Sequence, residues 1–145
     1  MNSTVLVLNG PNLGRLGVRE PEVYGWSTLD DLRRILQEDA GEVRIDLRQS
    51  DDEATLIGWL HEAVDTGTPV IVNPAAFTHY SYALRDAAAM VTQAGIALIE
   101  VHLSNPQARE DFRHTSVISG VATGVIMGFG FDSYRLALSY LQHRP

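Results

Sequence analysis

The pattern of apolar and polar positions alternates between short apolar runs and stripes of helical spacing. The apolar runs end at turn or polar residues and predict five strands, at 5–8, 43–47, 69–73, 96–101 and 121–127. Helical spacing follows most of these runs and predicts helices from Thr28, from about 50 to Gly67, from about 84 to Gly95, and from about 132 to 142. Strands that alternate with helices in so short a chain predict a parallel α/β sheet covered on both faces, of the flavodoxin-like kind with strand order 2-1-3-4-5.

One of these helices and a further short helix carry signals at their starts. Ser50 and Glu53 have the spacing of a capping box for the second helix. Asn105 and Pro106 form a cap and first-turn pair, which predicts a short helix that extends to about Arg113.

Length and composition fit one domain that spans residues 1–145. The 145 residues are 45% hydrophobic, enough for one buried core, and the pattern contains no linker or repeat. An apolar run of the ~20 residues needed for a membrane span is absent, and so is a signal-peptide pattern. The expected location is the cytoplasm, with no membrane partner.

The charged residues restrict the chemistry. The net charge of −7 argues against binding a nucleic-acid backbone, which requires a basic surface. All eleven basic residues are arginine and there is no cysteine. A lysine Schiff base, pyridoxal phosphate chemistry and a cysteine nucleophile are therefore excluded, whereas an anionic small molecule remains possible where arginines cluster.

Polar residues follow three strands that are neighbours in the predicted sheet. The first strand leads into Asn9 and Asn12, the third into Asn73 and His79, and the fourth into His102. Ligands of open α/β sheets bind beyond the carboxyl ends of the strands, near the point where the strand order reverses. These side chains are therefore predicted to share one crevice.

The connection between the first strand and its helix, residues 10–27, is unusually long. It carries several glycines together with Arg19 and Tyr24. Loops of this length in compact domains are usually lids or disordered segments, so a lid is predicted at about 14–25. Ordinary turn formation explains the glycines about as well, and the segment lacks the G-K-[ST] of a phosphate loop.

Two spacings suggest functional pairs. Glu100 and His102 are two apart on a strand, so their side chains point the same way and the carboxylate could orient the imidazole; a structural histidine is the alternative. Arg109 and Arg113 are four apart, which on a helix would make an anion clamp. Pairing of Arg109 with a neighbouring carboxylate on a solvated face is as plausible. Metal-ligand spacing is absent.

Several passages resemble the type II 3-dehydroquinate dehydratases (type II dehydroquinases) over nearly the whole chain. They are N-G-P-N-L, L-G-V-R-E-P-E-V-Y-G, R-Q-S-D-D-E, N-P-A-A-F-T-H, A-L-R-D-A, E-V-H-L-S-N and A-R-E-D-F-R-H. The resemblance implies a hydro-lyase that converts 3-dehydroquinate to 3-dehydroshikimate by anti elimination through an enolate. It implies no cofactor and no metal, and a role in the shikimate pathway (chorismate and aromatic amino acid biosynthesis) or in quinate catabolism.

The resemblance also implies roles for individual residues. Tyr24 is the expected base, Arg19 the lid residue that supports it, His102 the acid, and Asn12 the residue that holds a water against the enolate. A phenol has an ordinary pKa of about 10, and a neighbouring cation lowers it by roughly 1 to 3 units. The residues expected around the substrate are Asn73, His79, Leu103, Ser104 and Arg113, with Glu100 and Arg109 behind them. The resemblance further implies a homododecamer built as a tetramer of trimers, in which Asp86 reaches in from a neighbouring subunit.

The chain departs from the family pattern at three positions, and two other functions remain as alternatives. Tyr80, Gln107 and Thr115 stand where the family commonly has other residues, which puts substrate affinity in doubt rather than reaction type. A flavodoxin-like module that binds a phosphate or nucleotide would not use the full set of residues. A lyase or isomerase for another polyhydroxylated acid would keep the same base and acid.

Overall fold

A five-stranded parallel sheet forms the centre of the fold. The computed structural model describes residues 3–18, 22 and 27–144. The strand order β2-β1-β3-β4-β5 confirms the predicted flavodoxin-like topology. The strands are β1 (Thr4–Asn9), β2 (Arg44–Gln49), β3 (Val70–Asn73), β4 (Leu98–His102) and β5 (Gly124–Met127), and the long helices are α1 (Leu29–Ala40), α2 (Glu53–Thr66), α3 (Tyr82–Gln93) and α4 (Phe131–His143).

Helices cover both faces of the sheet because each buries an apolar stripe. Strand side chains alternate between the two faces, so neighbouring residues of β1 enter two different apolar layers. On one face α1 and α4 pack together, with Leu32 and Leu36 fully buried. On the other face α2 packs against α3, with Leu56 and Val91 fully buried. This packing holds the carboxyl ends of the strands in a rigid frame.

The predicted capping box at Ser50 and Glu53 is wrong. Ser50 Oγ accepts a hydrogen bond from the backbone of Asp52, the N-cap of α2, and Glu53 instead accepts one from Ser81 at the start of α3. The capping box of the fold lies at α1, where Thr28 and Asp31 each accept from the backbone N–H of the other.

The predicted short helix from Pro106 to Arg113 is also wrong. The structure has two separate 3₁₀ turns, Pro106–Ala108 and Asp111–His114. Arg109 between them is extended, with φ −114° and ψ −161°, so it interrupts the helical path. Arg109 and Arg113 therefore do not share a helical face.

Part of the predicted lid lies outside the described residues. Residues 14–18 are described and continue a 3₁₀ turn at Leu13–Arg15, whereas Arg19 and Tyr24 fall in the part that is not. None of the helices within the described ranges has the length and apolar character that a membrane span needs.

Candidate active site

A cavity of about 160 Å³ opens at the carboxyl ends of the strands. It lies where the prediction placed it, beyond β1, β3 and β4, and the ends of β1 and β3 are in register with Asn9 opposite Asn73. Polar or basic residues and apolar residues line it in nearly equal numbers: Pro11, Asn12, Leu13, Asn73, Ala75, Ala76, His79, His102, Leu103, Ser104, Pro106, Arg109 and Arg113.

The loop after β1 is held tightly against the loop after β3. The backbone N–H of Gly10 donates to the Asn73 carbonyl at 2.8 Å. A Cβ at Gly10 would lie 2.6 Å from the Pro74 carbonyl oxygen, so only glycine fits. Asn12 follows in the left-handed region (φ 69°) and its N–H donates to Asp51 at 2.9 Å. These contacts fix the first wall of the cavity.

The side chain of Asn73 is held on both sides of its amide. Its Oδ1 accepts from the Ala75 N–H at 3.0 Å, and its Nδ2 donates to the buried Tyr134 hydroxyl at 2.9 Å. Ala75 has a positive φ of 52°, which is costly for a residue with a Cβ. Strained backbone of this kind is typical of functional sites, and here it lies in the cavity wall.

His102 forms the predicted pair with Glu100. The His102 Nε2 lies 2.5 Å from Glu100 Oε2, and the Glu100 carboxylate is fully buried. Ser116 and Ser119 also donate to this carboxylate, at 3.1 and 2.8 Å. Because a carboxylate accepts, Nε2 is the donor, which fixes the ring and leaves Nδ1 to exchange a proton.

His79 presents a defined edge to the cavity. Its Nδ1 donates to the Thr115 carbonyl at 2.9 Å, because a carbonyl oxygen can only accept. Burial, with smaller contributions from Arg113 and His102, holds the pKa of His79 below its ordinary value. The ring is therefore neutral at pH 7, and Nε2 is left as a hydrogen-bond acceptor.

This lowered pKa predicts a loss of stability at mildly acid pH. Unfolded His79 takes up a proton near its ordinary pKa of about 6.5, before the folded ring does, so the free energy of unfolding falls as the pH drops through this range. His79→Asn retains an N–H near the position of Nδ1 but does not titrate. Urea unfolding between about pH 7.5 and 5 should show a shallower pH dependence for His79→Asn than for the wild type. His61→Asn, at an exposed position of α2, is the control, and equal slopes for His79→Asn and the wild type would contradict the prediction.

Arg109 and Arg113 both line the cavity, although they do not share a helical face as predicted. Arg113 Nε donates to Glu110 at 3.0 Å, and Arg109 lies 3.9 Å from the same carboxylate and donates to Ser104 Oγ at 3.2 Å. Each arginine side chain is only 17% exposed. The carboxylate pairing is therefore present, although not on a solvated face, and the anion clamp stays a prediction.

The structure brings together most of the residues predicted for the site. Asp86 is the exception among those described: it lies on α3 with 68% of its side chain exposed, pairs with Arg85 at 2.8 Å, and does not line this cavity. The residues that line the cavity or bind a residue that does are Asn12, Asn73, His79, Glu100, His102, Leu103, Ser104, Arg109 and Arg113.

The three departures from the family pattern lie beside the cavity rather than in it. Tyr80 is 59% exposed and stacks edge to face on Phe77. Gln107 donates to the backbone of His114, and Thr115 contacts His79 through its backbone carbonyl, which any residue provides.

Sequence reasoning missed the residues that hold the site from behind. Tyr134 lies in the apolar stripe of α4 and resembles an ordinary core aromatic. Ser116 lies in irregular chain, and Ser119 begins a short 3₁₀ turn, Ser119–Val121. Tyr134 contacts Asn73 across 61 positions of the chain. The two serines contact Glu100 across 16 and 19 positions, so no local pattern reveals any of these contacts. Within the described ranges, no group of three or more His, Cys, Asp or Glu side chains could hold a metal ion.

Fold and site together define a flavodoxin-like α/β protein with a polar, arginine-rich cavity at the carboxyl ends of its strands. Residues 3–142 match the family model described as Dehydroquinase class II. The chain therefore belongs to the class II dehydroquinase family, which confirms the resemblance.

Similar proteins match the chain over almost its whole length. The chain is 57% identical over 142 residues to the 3-dehydroquinate dehydratase of Salinispora tropica, a match that covers 97% of each chain. It is 54% identical over 141 residues to that of Bacillus licheniformis, covering 96% of this chain and 95% of the relative. The crystal structure of the type II dehydroquinase from Propionibacterium acnes superposes with a TM-score of 0.92 at 50% identity, covering 97% of each chain.

Proposed function

We propose that this chain is a 3-dehydroquinate dehydratase, a hydro-lyase that converts 3-dehydroquinate to 3-dehydroshikimate and water. The observation that carries the proposal is the shared cavity: the described residues that family resemblance assigns to catalysis and substrate binding line it, apart from Asp86. The names of the full-length relatives support the same activity.

The cavity suits a polyhydroxylated carboxylate. Arg109 and Arg113 supply positive charge at one wall, beside Leu103 and Ser104, whose backbone amides are proposed to bind the carboxylate. Asn73 and the Nε2 edge of His79 are proposed to bind hydroxyl groups, since an amide and a neutral imidazole offer both donors and acceptors.

His102 is the proposed general acid. Glu100 holds Nε2, so a proton on Nδ1 can pass to the departing hydroxyl. In the proposed sequence, a base takes the C2 proton beside the ketone, and the electron pair forms an enolate. The enolate then re-forms the ketone as the C1–O bond breaks, and the hydroxyl leaves as water with the proton from His102.

Tyr24 is the proposed base and Arg19 its activating cation. Both lie outside the described residues, and their assignment rests on the family motif that contains them. A tyrosine with an ordinary pKa near 10 is mostly protonated at pH 7, and a nearby guanidinium favours the anion. Asn12, at the start of the same segment, is proposed to hold a water that donates to the enolate oxygen.

Asp86 is proposed to act in a neighbouring subunit of a homododecamer, a tetramer of trimers. Its exposed position on α3, away from its own cavity, supports a contact in trans. Sedimentation should give a mass near twelve chains. Cytoplasmic location stays a prediction from the sequence.

The proposed function is tested by incubating the purified, chelator-treated protein with 3-dehydroquinate. Dehydration conjugates a new C=C bond with the ketone, so ultraviolet absorbance of an enone should appear without added metal or cofactor. Borohydride added with substrate should not inactivate the protein, because no lysine is present to form an imine. Absence of the enone would overturn the proposal and favour another polyhydroxylated acid or a binding role.

A further inference from the structure

A continuous line of hydrogen bonds runs from Asn73, which lines the cavity, to Tyr134 and Asn9, which do not. The Tyr134 hydroxyl, on α4, donates to Asn9 Oδ1 at 2.6 Å and accepts from Asn73 Nδ2 at 2.9 Å. Asn9 Nδ2 donates in turn to the Arg48 carbonyl at 3.1 Å. Tyr134 thus connects the ends of β1 and β3, 125 and 61 positions away along the chain.

The direction of every bond in this line is determined. The Arg48 carbonyl can only accept, so Asn9 Nδ2 faces it and Asn9 Oδ1 faces the phenol. The phenol gives its single proton to that oxygen, so toward Asn73 it can only accept. At the other end, the Ala75 N–H can only donate, which fixes the opposite side of the same Asn73 amide. A flipped Asn73 amide would place two donors together and two acceptors together.

Burial makes this arrangement costly to disturb. Tyr134 and Asn9 are 0% exposed and Asn73 is 3% exposed, so water cannot replace a lost partner without a rearrangement. Burial also holds the pKa of Tyr134 above its ordinary value, so the phenol keeps its proton and stays a donor to Asn9. Only the second Nδ2 hydrogen and the second Oδ1 lone pair of Asn73 remain for the cavity.

We infer that Tyr134 is a positioning residue for the reaction, whose buried hydroxyl holds the Asn73 amide in the single orientation that the substrate hydroxyls meet. The inference rests on the proposed function, because it assigns Asn73 to substrate binding. Tyr134 does not line the cavity, so its proposed effect on substrate binding passes through Asn73 alone.

The test is a double-mutant cycle with 3-dehydroquinate as substrate. Tyr134→Phe removes one oxygen and should raise KM about tenfold while kcat changes less than about twofold, since the loss affects binding of substrate and transition state alike. In an Asn73→Ala background the same substitution should change KM by less than about twofold, because the residue through which it acts is gone. Tyr140→Phe, on the exposed side of α4, is the matched control and should change neither constant.

Two further measurements keep the inference testable. Asn9→Ala leaves the phenol ring packed but removes its acceptor, and should raise KM in the same direction if Tyr134→Phe folds poorly. A crystal structure of Tyr134→Phe should show the Asn73 amide moved or in more than one orientation, because the Ala75 N–H alone then holds it. This measurement needs no turnover.

The outcomes separate this inference from the proposed function. No turnover by the wild type would reject the proposed function, and the orientation of Asn73 in the variant crystal would still decide the inference. Turnover with an unchanged KM in Tyr134→Phe, an additive cycle, or an unmoved Asn73 amide would each overturn it. Lost stability with unchanged kinetic constants would show that Tyr134 is only structural.

Discussion

Tyr24→Phe is expected to lower kcat on 3-dehydroquinate by about a hundredfold to ten-thousandfold, the usual contribution of a general base. The substitution removes only the phenolic oxygen and keeps the aromatic ring, so KM should change little. The measurement is steady-state kinetics followed by enone absorbance. Tyr140→Phe, on the outer side of α4, is the matched control and should retain wild-type turnover.

Arg19→Ala tests how the phenol is activated. If Arg19 lowers the pKa of Tyr24, its removal should reduce turnover at pH 7 and move the rise in kcat to higher pH, because the phenol then ionises later. Asp39→Asn is the control. Asp39 pairs with Arg135 at 2.7 Å and does not line the cavity, so this substitution should leave the pH profile of kcat unchanged. An unaltered rate and pH profile in Arg19→Ala would contradict the tyrosinate mechanism.

His102→Ala is the second substitution with a large expected effect, a loss in kcat of about a hundredfold to ten-thousandfold. It removes the group that protonates the departing hydroxyl, and hydroxide is a poor leaving group. It also leaves the buried Glu100 carboxylate without one of its donors, so folding must be checked separately by thermal unfolding.

The control for His102→Ala is His61→Ala, at an exposed position of α2. It should retain wild-type turnover. Full activity in a folded His102→Ala protein would remove His102 as the acid and leave Glu100 and its serine donors with a structural role.

The strands and the Glu100–His102 pair were predictable because they depend on local periodicity, and the strand order followed from the alternation of strands with helices. Apolar runs mark strands, and the period of two along β4 places both side chains on one face. The position of the cavity followed from the general rule that ligands bind where the strand order reverses.

Other features depend on distant contacts and were not predictable. The four-residue spacing of Arg109 and Arg113 suggested a helix, but the extended backbone at Arg109 separates two 3₁₀ turns. Ser50 and Glu53 fit a capping pattern, but Glu53 bonds to Ser81 across 28 positions instead. Tyr134 has the spacing of a core residue, and only the fold brings its hydroxyl to Asn9 and Asn73.

The central claim, dehydration of 3-dehydroquinate with base and acid on opposite faces of the substrate, is tested most directly by stereospecific labelling. The substrate carries deuterium at C2 on the side anti to the departing hydroxyl, and mass spectrometry reads the 3-dehydroshikimate formed by the purified protein. Loss of the deuterium from the product is the predicted result. Retention of the deuterium in the product, or no product at all, would contradict the account.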